Sequence, residues 1–131
     1  FGVRVATTIT ERAGGTILAA DGSSTADATW GKMFDWCDYS GVVDGRHVGI
    51  SVMAHPDNFR LSWFHNRDYG LMLANPFGRN AFTKGEKSRV VVEPGQPLSL
   101  QWAAFIHESE AGDAKTIADV FEQYKGDADK Q

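Results

Sequence analysis

The sequence has a single cysteine, Cys37, so no disulfide can close within the chain. That thiol is expected to be a small buried hydrophobe. No run of 18 apolar residues occurs, which excludes a membrane-spanning helix. Lys and Arg number 13 against 17 Asp and Glu, and the formal net charge of −4 is spread along the chain without a basic stripe. Nucleic acid is therefore not an expected partner. A Gly-rich phosphate cradle, a Gly-x-Ser-x-Gly elbow and a Cys-x-x-Cys pair are all missing, which weighs against nucleotide binding, esterase chemistry of that type and dithiol redox work. No His-x-His or His-x-x-x-His pair offers compact metal ligation, and no cofactor is expected. No leader-like stretch opens the chain, so the location is left open between cytoplasm and export.

What is present is a globular composition, 42% apolar and 23% charged. Period-two alternation marks half-buried strands at Phe1–Val5, Thr16–Ala20, Trp30–Tyr39, His47–His55, Leu61–Phe64, Tyr69–Ala74, Arg89–Glu93 and Leu98–His107. Asp44-Gly45 is a hairpin signal and Pro94-Gly95 a turn. The Gly78–Glu86 stretch reads as a polar loop. In His47–His55, Val48, Ile50, Val52 and Ala54 form the core face; His47, Gly49, Ser51, Met53 and His55 form a face that a ligand could approach. In Trp30–Tyr39, Phe34 and Trp36 share one face, with Asp38; Asp35, Cys37 and Tyr39 share the other. The period then changes: Ala114, Ile117, Ala118, Phe121 and Tyr124 fall at helical spacing, with Gly112 or Asp113 as cap and Gly126 after the last apolar residue. The pattern predicts an all-β, antiparallel β-sandwich with one C-terminal helix over about 113–125. Residues 1–131 form one domain or the C-terminal part of a larger one, because the strand pattern is already running at Phe1.

One stretch concentrates unusual residues. His55–Arg79 holds two of the four histidines, one of the four tryptophans, three arginines and two X-Pro steps. Within it, His65, Arg67 and Asp68 fall beside Trp63 and Tyr69. Imidazole titrates near neutrality, so His65 is the leading acid/base candidate. Arg67 offers a planar fork of donors, and Asp68 could orient or charge His65. His55 could line the same pocket or only bond the turn at Pro56. Asp35, Asp38 and Tyr39 are possible partners for His65. Asn75 is more readily a loop former, and Arg79 a surface charge. A site built from His47, His55, His65 and His107 is imaginable but has no support from spacing.

Three segments, Trp36–Gly41 (WCDYSG), His55-Pro56 with Asn58, and Trp63–Arg79 (WFHNRDYGLMLANPFGR), resemble the methane oxygenase PmoA-like family, a domain of unknown function. That family is similar to the galactose-mutarotase-like supersandwich group, and this chain resembles its C-terminal portion, so the resemblance implies a preceding N-terminal part. It also implies a sugar-sized site on a concave sheet, with a small carbohydrate as ligand. On that view His65, Arg67, Asp68 and His55 are the catalytic set. Trp63, Tyr69, Trp36, Asp38, Tyr39, Asn75 and Arg79 contact the ligand, Trp63 and Tyr69 with flat faces for a sugar ring. The family label also implies a metal-dependent oxygenase; a non-catalytic sugar-binding or structural domain is the third possibility.

Overall fold

The computed structural model describes residues 1–108 and 113–128. Seven strands follow in order: β1 (Gly2–Arg4), β2 (Thr16–Ala19), β3 (Trp36–Val43), β4 (Arg46–Ala54), β5 (Trp63–Asn66), β6 (Leu71–Asn75) and β7 (Trp102–Glu108). Three helices join them, α1 (Ala26–Thr29), α2 (Arg79–Thr83) and the long C-terminal α3 (Ala114–Ala128). The strands make two antiparallel sheets, ordered β1-β6-β5 and β2-β3-β4-β7. The β3–β4 hairpin closes at Val43↔Arg46 around Asp44 and Gly45, both left-handed with φ of 51° and 76°, as a two-residue turn matched to strand twist requires.

Alternation decides which side chains meet between the sheets. Ile17, Ala19, Cys37, Tyr39 and Val52 of the four-stranded sheet pack in one cluster with Phe64, Met72 and Ala74 of the three-stranded sheet. The opposite face of the four-stranded sheet is covered as well. Trp36 and Met53 lie under Ile117 and Phe121, four residues apart on α3. Asp113 caps that helix by accepting the Thr116 N–H at 3.0 Å; Gly112, the other cap candidate, lies outside the described residues. Because Phe64, Asn66, Met72 and Ala74 are buried, their alternates His65 and Leu73 project from the other side of the three-stranded sheet.

Several local expectations are corrected. Trp30–Tyr39 is not one strand: Trp30 ends α1, and Gly31 at φ 70° breaks the extended run. Phe34, outside the ladder, therefore joins the Cys37–Tyr39 core rather than sharing a face with Trp36. The second face of β4 is no open surface, since Ser51, Met53 and His55 are buried. Arg89–Glu93 forms no strand: no neighbouring strand pairs with it, and Val91 and Val92 stay 64% and 54% exposed. β-Propensity without a ladder partner does not make a strand. The 78–86 segment contains α2 rather than loop alone, and α3 continues past Gly126.

A short 3-10 turn, Thr7–Ile9, crosses β3 so closely that two glycines are required. A Cβ on Gly15 would lie 2.0 Å from the Ile9 carbonyl oxygen, and one on Gly41 would lie 2.8 Å from Ile9 Cβ. Beside this crossing, the buried Tyr39 hydroxyl accepts the Glu11 N–H at 2.8 Å and faces the Arg67 and Asp68 carbonyl oxygens at 3.1 and 3.2 Å. Replacing Tyr39 by Phe leaves the Glu11 donor without its partner. Urea unfolding is expected to show a loss of about 1–3 kcal/mol; an unchanged midpoint would mean that the hydroxyl holds nothing together.

Candidate functional site

Four residues from three separate segments converge outside the three-stranded sheet. β5 carries His65, the turn after it carries Arg67, the residue after α1 is Trp30, and α2 supplies Phe82. The His65 ring packs against Trp30 and Phe82 at centroid distances of 6.0 and 5.6 Å. Trp30 meets Phe82 edge-on at 5.2 Å. The Arg67 guanidinium lies over the Trp30 ring at 5.6 Å, a cation–π arrangement. Gly78 makes room for this assembly, because a Cβ there would come within 2.3 Å of the Phe82 ring. Trp30 Nε1 lies 3.3 Å from His65 Nδ1, and Arg67 Nε lies 3.1 Å from His65 Nε2. Burial, and then the positive charge of Arg67, hold the His65 pKa below its ordinary 6.5. The ring is therefore neutral at pH 7, half-buried, with the Arg67 side chain exposed beside it. A neutral imidazole at an accessible face can take up or relay a proton.

The other candidates do not gather here. Asp68 does not charge His65; its Oδ2 pairs with Arg12 Nε at 2.8 Å on the surface. Trp63 is buried and so offers no open ring, whereas Tyr69 lies beneath the guanidinium groups of Arg4 and Arg12. Tyr39 is sealed between the sheets. Asn75 accepts the Phe77 N–H, and Arg79 binds Glu86 through its backbone carbonyl and its carboxylate, so both shape the 75–86 segment. Trp36 is under α3.

His55 sits at a different place, buried edge-to-face against Tyr124 of α3. Its Nδ1 accepts the Asp57 N–H at 3.2 Å, and among the described residues its Nε2 has no hydrogen-bond partner. Asn58 donates its N–H to the His55 carbonyl within the turn and also clamps the Gln101 backbone through both ends of its amide. Asp38 is likewise remote from His65. Its Oδ1 accepts from Ser51 Oγ at 2.7 Å and meets His107 Nε2 at 2.7 Å, all three residues being buried. The His107 ring lies over Gly49, where a Cβ would be 2.7 Å away. This polar group pins β3, β4 and β7 together. His55, His65 and His107 thus face different partners. Among the described residues, no three His, Cys, Asp or Glu side chains come together in a way that could hold a metal ion. Sequence reasoning missed Trp30 and Phe82; Gly31 directly after Trp30 was the available sign that the strand reading failed there.

A polar cleft of about 400 Å³ opens beside the Arg12–Asp68 pair, lined also by Glu11, Thr25, Ala26 and Asp27. Thr25 adopts φ 77°, ψ 152°, a strained conformation for a β-branched residue. It is held because its side chain accepts the Ala28 N–H while Glu11 accepts the Ala26 N–H.

Residues 1–122 match the model of a family described as "Family of unknown function (DUF6807)". No curated protein and no solved structure matches the chain.

Two measurements check this geometry. Asp38→Ala removes the acceptor shared by Ser51 and His107; thermal or urea unfolding is expected to show a loss of about 3 kcal/mol, and a loss near zero would show that the group is dispensable. For His65, NMR titration should place the pKa below 6.5, and Arg67→Gln should raise it by removing the nearby charge. Because the folded value is depressed, the unfolded chain binds more protons as pH falls below about 6.5. The stabilisation from neutral His65 is therefore complete above that pH and declines as pH falls through the folded value.

Proposed function

The chain belongs to the DUF6807 family of unknown function, and we propose that it binds a small carbohydrate on the outer face of the three-stranded sheet, with His65 as acid/base. The observation that carries this reading is the clustering of a neutral imidazole, an exposed guanidinium and an indole on one sheet face that α3 does not cover. Hydroxyl-rich ligands need fixed polar groups beside apolar side chains; Arg67 and His65 supply the polar groups, and Trp30 and Phe82 the apolar ones. The resemblance of Trp63–Arg79 to the PmoA-like family, and through it to galactose-mutarotase-like β-sandwiches, supports the same ligand class and the same kind of sheet face. His65 would act first as a base, since it is neutral at pH 7, and would return the proton to a neighbouring oxygen of the sugar. Arg67 would hold ligand oxygens.

One observation favours a second reading, a non-catalytic sugar-binding module. Among the described residues no carboxylate bonds His65, so none of them stabilises the imidazolium that proton uptake creates. A metal-dependent oxygenase draws no support from His55, His65 and His107, which face different partners.

A panel of monosaccharides, read by NMR for binding and for anomer exchange, separates these readings. With catalysis, His65→Ala is expected to lower the exchange rate by about 100-fold or more while the folded spectrum persists. Saturable binding with no exchange in the wild type would establish the binding module, and absence of binding to every sugar would reject both.

A further inference from the structure

The His65 cluster contains a hydrogen-bond conflict. A neutral imidazole has one N–H and one lone-pair nitrogen, while indole and guanidinium nitrogens only donate. Yet both ring nitrogens of His65 face donors, Trp30 Nε1 at 3.3 Å and Arg67 Nε at 3.1 Å. Only one of these contacts can be a hydrogen bond; at the other, two N–H groups confront each other. Protonating the ring removes the last acceptor and makes both contacts repulsive. Trp30 and Arg67 cannot relieve this by rotating a proton, because neither has a lone pair to offer.

The missing element is an acceptor. The cluster has five donor nitrogens when both Arg67 terminal nitrogens are counted, and among the described residues no carboxylate serves them. The adjacent Asp68 is engaged by Arg12, and among the described residues Arg67 forms no ion pair. Arg12, Arg46 and Arg79 each have a carboxylate within 4.0 Å; among the described residues Arg4, Arg60 and Arg89 have none either, so what sets Arg67 apart is that its Nε faces an imidazole nitrogen. An oxygen beside both His65 Nε2 and Arg67, drawing the exposed guanidinium off its 3.1 Å contact with the ring, would relieve the conflict. Trp30 then donates to Nδ1, the proton resides on Nε2, and Nε2–H and the guanidinium both donate to the incoming oxygen. A second oxygen on the same carbon would meet the remaining guanidinium edge, the side-by-side geometry in which arginine holds a carboxylate.

We propose that this site selects sugar acids, hexuronates in chemical class, through a carboxylate seated between His65 and Arg67. The proposal rests on the carbohydrate-binding reading above in its non-catalytic form, because Nε2–H donates to the ligand while Trp30 holds Nδ1, and it adds the charge of the ligand and the residue that reads it. Arg67 is then the specificity-determining group, and Trp30 a positioning residue that sets the His65 tautomer.

The test compares glucuronate, galacturonate and mannuronate with glucose, galactose and mannose, and with acetate, by calorimetry on the full-length protein. At least one hexuronate is expected to bind about tenfold or more tightly than its matching hexose, as one charge-assisted contact implies, and more tightly than acetate. Arg67→Gln should abolish that preference, and the exposed position lets the variant fold, as an unchanged amide spectrum would verify. The bound carboxylate should also raise the His65 pKa in an NMR titration, and Trp30→Phe should alter the tautomer signature of the His65 ring nitrogens. Hexoses binding as tightly as hexuronates would overturn the charge selectivity and leave the carbohydrate reading standing. Acetate matching the hexuronates would overturn the sugar component. Absence of binding by all seven probes would overturn both.

Discussion

The hydroxyl of Tyr39 ties three parts of the chain together inside the protein. It leaves β3, accepts from the Glu11 backbone, and reaches the carbonyls of Arg67 and Asp68 in the turn between β5 and β6. Both sheets and the N-terminal 3-10 segments thereby share one buried polar contact. A buried hydroxyl without partners would cost free energy; here the backbone groups of two turns are shaped around it. The turn that carries Arg67 is consequently anchored from below, and the guanidinium leaves it from a fixed base. Gly15 and Gly41 serve the same crossing by letting Ile9 approach the sheet.

From that anchor the two outer faces of the sheet pair take different roles. The four-stranded sheet buries Trp36 and Met53 under α3 and closes its remaining polarity internally, through Asp38, Ser51 and His107. The three-stranded sheet leaves His65 half-buried between an indole, a phenyl ring and a guanidinium. One histidine thus has its carboxylate inside the protein. Among the described residues, both ring nitrogens of the other face donors. That difference in pairing, more than exposure, separates a structural imidazole from a candidate ligand group.

Much of the strand pattern could be read without coordinates. The β4 alternation, the Asp44-Gly45 hairpin and the Ile117–Phe121 stripe are local signals, and each corresponds to an element. Period two states that a strand has two faces, but not what covers each. The Ser51, Met53 and His55 face was therefore legible as a face and misread as open. Arg89–Glu93 shows the converse error, since its β-branched run satisfies propensity while a strand also requires a neighbour. At the site, His65 and Arg67 were found because they are close in sequence and chemically unusual. Trp30 and Phe82 were not, because they arrive from 35 residues before and 17 residues after His65.

The sequence by itself determined the mostly β character, the C-terminal helix, the hairpin turn and the candidacy of His65 with Arg67, because each depends on residues within a few positions of one another. Only the tertiary structure decided which histidine is paired with which group. It separated His55 from His65, gave Asp38 to His107 and Asp68 to Arg12, and set Trp30 against the His65 ring. Those pairings depend on how two sheets and a helix stack, and side-chain partners across such layers are chosen by packing and by the cost of leaving buried polar groups unmatched, neither of which is written in local spacing.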